Sequence, residues 1–274
     1  MWRHPFDELM ELDSEDIRLD CAALHLARDV YPDLDIPRWL GVLDEMADAV
    51  AERRPGLASP QRYAALREVL VEQYELSGNP QEYYAPDNSY LNRVLEERRG
   101  IPVSLALVWV EVGRRLKWPV AGVGLPGHFL VRVDDPERFI VADPFNDGRS
   151  LSLDDCRELV QERFGRKAAF SAAMLEPVAT RPFLGRLLGN LRSIYLTDQE
   201  WSRLEQVLQR LLALEPENSQ HVHDLAAVRW RQGDLVSAYR HLAVYLDHAP
   251  GSKRDQSVLK ASLRQLQAAI AGLN

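Results

Sequence analysis

The chain has 274 residues, 46% hydrophobic and 27% charged, enough for one large domain or two ordinary ones with real cores. A net charge of −8 without a basic stripe argues against a general nucleic-acid binder. Two cysteines exclude a disulfide framework and fit a reducing cytoplasm. The most apolar stretch, residues 105–110, is too short to cross a bilayer, and residues 1–8 lack the apolar stretch of a secretory signal, so a soluble cytoplasmic protein is expected.

Residues 14–74 have helical periodicity. Ile17, Cys21, Leu24 and Ala27 share a face behind the capping side chains of residues 13–16. His25 reads as a partly buried helical histidine. A second helix follows Ile36-Pro37, with Leu40, Leu43, Met46, Ala47 and Val50 on one side, and a third spans about 60–74. Turn formers dominate residues 77–88. A short helix over 89–98 leads to Gly100-Ile101-Pro102, and a further helix over 102–116 opens on Pro102, in the first turn where proline is tolerated. It is apolar on nearly all sides, so it is expected to be buried. Its last-turn residues Arg114 and Arg115 suit the helix dipole.

The period then changes to two. Residues 120–124, 128–133 and 138–143 read as strands, 146–149 as a turn and 153–164 as a helix. Beyond Arg181 no strand is apparent. Leu212-Ala213-Leu214-Glu215-Pro216 and Leu246-Asp247-His248-Ala249-Pro250 stand 34 residues apart in numbering. At the same offset Gln199 matches Gly233, Leu204 matches Ala238 and Leu208 matches Leu242. That period with a closing proline is the tetratricopeptide signature. Two units, 184–217 and 218–251, and a capping helix over 252–273 are expected. Asp198-Gln199-Glu200 departs from the glycine turn of the second unit, Gln232-Gly233-Asp234.

The stretch 100–143 could carry chemistry. In a hairpin with residues 134–137 as its loop, Val133 faces Arg138 and His128 faces Asp143. Opposed Cβ atoms lie ~5 Å apart, close enough for an imidazole–carboxylate hydrogen bond. These are the base and orienter of a nucleophile–histidine–aspartate site, or else a purely structural pair. His221 and His223, two apart on a helix, point to different faces and make no zinc pair. No cofactor or metal is expected, and no phosphate-binding glycine motif is present.

Asn88-Ser89-Tyr90-Leu91-Asn92, residues 98–105, Gly122-Val123-Gly124-Leu125-Pro126-Gly127-His128-Phe129-Leu130 and Asp143-Pro144-Phe145 together resemble the transglutaminase-like superfamily. Within it the chain resembles the bacterial SirB regulator-like branch, whose members add tetratricopeptide repeats. The resemblance implies an α+β fold: a papain/transglutaminase-like core (1–180) with a helical N-terminal part and a small antiparallel sheet, then an all-α tetratricopeptide-like tail (181–274). It implies that His128 and Asp143 match the family's histidine and aspartate. The nucleophilic cysteine, two residues after a glycine at the helix start, is replaced by Pro102, and Ala106, Arg114 and Pro119 support that alignment. Ser104 is the nearest substitute, but two helical residues rotate by ~200°, which turns it away. Cys21 reads as a buried hydrophobe, and Cys156 lies beside Asp154 and Asp155, which oppose a low thiol pKa. The expectation is a non-catalytic scaffold or regulator with a protein or peptide partner and no nucleic-acid or membrane partner. The alternative is a hydrolase or acyltransferase using His128 and Asp143 with another nucleophile or water.

Overall fold

The computed structural model describes residues 4–248 and 253–272. The chain forms two compact units, residues 12–187 and residues 188–274 with 1–11. In chain order, α1 (Pro5–Leu9) belongs to the latter. The larger unit opens with α2 (Leu19–Ala27), α3 (Ile36–Glu52) and α4 (Ser59–Arg67). Residues 13–16 form a turn, with Asp16 N–H on Asp13 O at 2.9 Å, and do not cap α2. Asp35 does cap α3, its carboxylate accepting from Arg38 N. Trp39, Leu43, Met46 and Val50 then bury one stripe of that helix. A π-helical turn, Glu68–Gln73, ends the third expected helix.

Next come β1 (Ser77–Gly78), a 3-10 turn (Pro86–Ser89), α5 (Leu91–Glu97) and β2 (Arg99–Gly100). Strands β1 and β2 pair in parallel, Gly78 with Gly100. Two residues each are too few to show alternation in a sequence. Helix α6 (Pro102–Arg115) is buried on nearly every side because α2, α3 and the sheet all pack on it. The sheet holds β3 (Val120–Val123), β4 (Leu130–Asp134), β5 (Phe139–Asp143) and β6 (Arg149–Leu151), antiparallel in that order. Helix α7 (Leu153–Phe164) follows, capped by Ser152. Val160 and Cys156 pack with Val123, Leu130, Val141 and Leu175.

The β4–β5 register differs from the expected one. Asp134 pairs with Phe139 and Val133 with Ile140. The loop still has four residues, but it is 135–138. The cause is Asp135, whose Oδ1 accepts from Glu137 N at 2.8 Å and Arg138 N at 3.0 Å while Oδ2 accepts from Ser59 N. That carboxylate caps the turn one residue later than expected. The pairing shifts by two, so every side chain keeps its face.

A buried ion network joins α2 to α6. Asp20 Oδ2 lies 2.9 Å from Arg18, 2.8 Å from Arg115 and 3.2 Å from Arg114. Glu111 Oε2 lies 2.7 Å from Arg114 and 2.9 Å from Arg115. Burial pushes the Asp20 carboxyl up, but Arg18 and Arg115 outweigh it and hold it below the ordinary range. Burial and then the Asp20 charge push Glu111 up. Arg114 and Arg115 therefore do more than complement a helix dipole.

The second unit is helical in its described residues: the end of α8 (Thr180–Thr197), then α9 (Trp201–Leu214), α10 (Ser219–Arg231), α11 (Leu235–His248) and α12 (Lys253–Ala271). Arg210, on α9, pairs with Asp7 at 2.7 Å. Ala238 and Leu242 are fully buried with Val222, Leu259 and Leu266. Gly233 turns between α10 and α11 at φ +83°, and Gln199, 34 residues earlier in numbering, takes φ +58° before α9. The departing residue thus adopts the same left-handed backbone as the glycine. Ala249, Pro250, Ser252 and Leu273, which belong to the expected repeat end and capping helix, lie outside the described residues. No helix among the described residues is long and apolar enough to cross a membrane. The whole is α+β, mostly helical with a small antiparallel sheet.

Candidate functional site

His128 precedes β4, its N–H bonded to Leu125 O at 3.0 Å in the Pro126-Gly127 turn. Its Nε2 lies 2.9 Å from Asp143 Oδ2. Asp143 ends β5 diagonally across the register rather than directly opposite, and that reach suffices for a long side chain. The Asp143 carboxylate is fully buried and fully used. Oδ1 accepts from the backbone of Phe145 at 3.1 Å and Asn146 at 3.3 Å, and Oδ2 also accepts from Asn146 Nδ2 at 2.7 Å. Burial pushes this carboxyl up, but the His128 bond and charge and the two Asn146 donors outweigh it, leaving it below the ordinary range. An ionised Asp143 fixes the His128 ring orientation. The ring's other nitrogen, Nδ1, has no hydrogen-bond partner among the described residues.

Asn146 is a site residue the sequence reading missed. Its signal was local: Asp143-Pro144-Phe145-Asn146 is an Asx turn in which the aspartate caps the two following amides. Phe145 was missed as a packing partner. Its ring meets His128 edge-on at 6.3 Å and Tyr83 at 5.8 Å. Gly78 N–H donates to Phe145 O at 3.2 Å, and a Cβ at residue 78 would meet that oxygen at 2.5 Å. Only glycine fits there. Through Gly78 and its partner Gly100, the strand before α6 is tied to the turn that holds Asp143.

Pro102 is buried at the first position of α6 and offers no nucleophilic atom. Ser104 is 1% exposed. Its hydroxyl donates to Asn88 O at 2.5 Å and accepts from Ile101 N at 3.0 Å. It caps the helix and ties it to the 3-10 turn. Neither cysteine supplies a thiolate. Burial, then Asp155 and Asp143, push the Cys156 thiol up to about 11. Burial and Asp20 also raise Cys21. His221 Nε2 is taken by Glu215 at 3.1 Å. No group of three potential metal ligands occurs among the described residues.

Comparison with known proteins matches this architecture to a family. The profile of the transglutaminase-like superfamily matches residues 38–189, which hold α3 to α7 and the whole His128–Asp143 site. A UPF0162 protein of Xylella fastidiosa is 36% identical over 251 residues, covering 90% of this chain and 89% of the relative. A UPF0162 protein of Pseudomonas aeruginosa is 37% identical over 156 residues, 57% of this chain and 56% of the relative. The mouse F-box only protein 21 is 32% identical over 167 residues, 57% of this chain but 26% of that protein. No solved structure matches the chain significantly. The chain belongs to the transglutaminase-like superfamily, among its UPF0162 proteins.

Proposed function

We propose that the chain is a non-catalytic scaffold or regulator of the SirB regulator-like branch. A papain-like core, about residues 1–180, keeps the His128–Asp143 pair without a nucleophile, and a tetratricopeptide-like tail, 181–274, binds a protein or peptide in the cytoplasm. The observation that carries this reading is Pro102 at the start of α6, where the family resemblance implies a catalytic cysteine. Its nearest substitute, Ser104, spends its hydroxyl on Asn88 O and Ile101 N. The left-handed backbone shared by Gln199 and Gly233 supports a repeated helical unit in the tail. Purified full-length protein should release no ammonia from glutamine peptides, transfer no amine to them and cleave no peptide bond. Turnover abolished by His128→Ala overturns this reading.

One observation favours a second reading, a hydrolase or acyltransferase. The His128 Nδ1 is unpartnered and the ring is partly exposed, so a water or an incoming group could meet it. Activity that survives Ser104→Ala, Cys21→Ser and Cys156→Ser but not His128→Ala would select this alternative, with water as nucleophile.

A further inference from the structure

The turn that carries Asn146 is gripped from outside the sheet. Arg149 N donates to Asn146 O at 3.1 Å and closes the turn. The two residues between them, Asp147 at φ +53° and Gly148 at φ +63°, are both left-handed. Aspartate and glycine hold such a backbone at low cost. Carbonyls at the tip of a surface turn ordinarily face water. Here α4 takes both. The Tyr63 hydroxyl donates to Gly148 O at 2.9 Å, and Arg67 Nε donates to Asp147 O at 3.2 Å. Residues 63 and 67 stand one helical turn apart, on one face. Arg67 is itself paired with Glu72 of the π-helical turn. The Tyr63 ring stacks on Trp109 of α6 with centroids 6.4 Å apart, and a Cβ at residue 148 would meet Trp109 Cζ2 at 2.9 Å.

The same helix holds the loop at the other end of β5. Ser59 N donates to Asp135 Oδ2 at 2.6 Å, and Arg62 Nη1 donates to Asp134 O at 3.2 Å. Strand β5 is therefore anchored to α4 at both ends. What the turn delivers is Asn146 Nδ2, 2.7 Å from Asp143 Oδ2, the oxygen that also meets His128 Nε2 at 2.9 Å. Asp143 Oδ1 is held by the Phe145 and Asn146 amides of the same segment. Asn146 is exposed, so water competes for its side-chain bond. The position of the turn keeps that donor on the carboxylate.

We infer that Tyr63 and Arg67 are positioning residues for His128, acting through the 146–149 turn and Asn146 to fix the Asp143 carboxylate and, through it, the imidazole. Neither bonds His128 or Asp143 among the described residues. This goes beyond the proposed function. It concerns a geometry that both readings of the site keep, so its test is separate from turnover.

The test follows the His128 Nε2 proton of the full chain by NMR, since exchange of a bonded proton with water reports how long its bond stays closed. Wild type should show a protected ring proton. Tyr63→Phe and Arg67→Gln should each speed its exchange about fivefold, the population change worth one hydrogen bond. Amide exchange in β5, read in the same samples, should not change. In an Asn146→Ala background, where the link is already cut, Tyr63→Phe should add nothing. Arg53→Gln, which breaks an ion pair with Glu68 and leaves the turn alone, should match wild type. No protected proton in wild type, or unchanged exchange in the Tyr63→Phe, Arg67→Gln double variant, overturns the proposal. A full Tyr63→Phe effect in the Asn146→Ala background also overturns it. So does equal acceleration of the β5 amides or by Arg53→Gln, which would indicate a general loosening of the fold.

Discussion

His128, just before β4, and Asp143, at the end of β5, meet at 2.9 Å, although β4 and β5 are paired two residues away from the register that would set them face to face. An even shift preserves the face, so the diagonal contact survives. The carboxylate is fully buried, and its ionisation is favoured by the fold. Asp143→Asn should cost about 2 kcal/mol at neutral pH by leaving paired donors unsatisfied. The folded value lies below the ordinary 3.8, so this stability is complete above about pH 3.8 and is lost as pH falls through the folded value. Urea midpoints of wild type and variant should converge in acid.

The Asp20–Glu111 network predicts unequal losses. Asp20 is held below its ordinary value by Arg18 and Arg115, so its ionisation stabilises the fold. Asp20→Asn should cost about 2 kcal/mol, since it takes a fully buried anion away from Arg115, the one cation of the three that is largely shielded from water. Glu111 is raised, so its ionisation opposes folding as pH climbs through the folded value. Glu111→Gln should cost less, about 1 kcal/mol. Paired urea titrations at neutral pH measure both.

Ser104 caps α6. Ser104→Ala leaves Asn88 O and Ile101 N–H with only their long mutual bond of 3.4 Å and should cost about 1 kcal/mol in urea denaturation. Ser104→Cys should yield a thiol that iodoacetamide reaches only after denaturation.

Cysteine placed at the vacated position should behave differently. Pro102→Cys puts a thiol in the first turn of α6, where the helix dipole favours a thiolate. The pKa of that thiol, followed by thiolate absorbance across about pH 5–11, should lie below those of Cys21 and Cys156, whose thiols are both raised.

The helices of the larger unit were legible because their apolar residues recur at helical spacing: Trp39, Leu43, Met46 and Val50 mark α3, and the run from Val103 to Val112 marks a buried α6. The two ends of the His128–Asp143 contact were legible from strand alternation. The register was not, because it depends on Asp135 capping its own turn and on Ser59, 76 residues away. The Gly78–Gly100 bridge was hidden for a similar reason. Two-residue strands carry no period, and the need for glycine at 78 comes from Phe145, a partner distant in the chain.

Turnover tests the non-catalytic reading most directly. Purified full-length protein, free of other amidases, is incubated with glutamine-containing peptides with and without an added primary amine, and ammonia, amine incorporation and peptide cleavage are measured beside His128→Ala. Wild type and His128→Ala should both be indistinguishable from buffer. Ammonia release, amine incorporation or cleavage by the wild type that His128→Ala abolishes would contradict it.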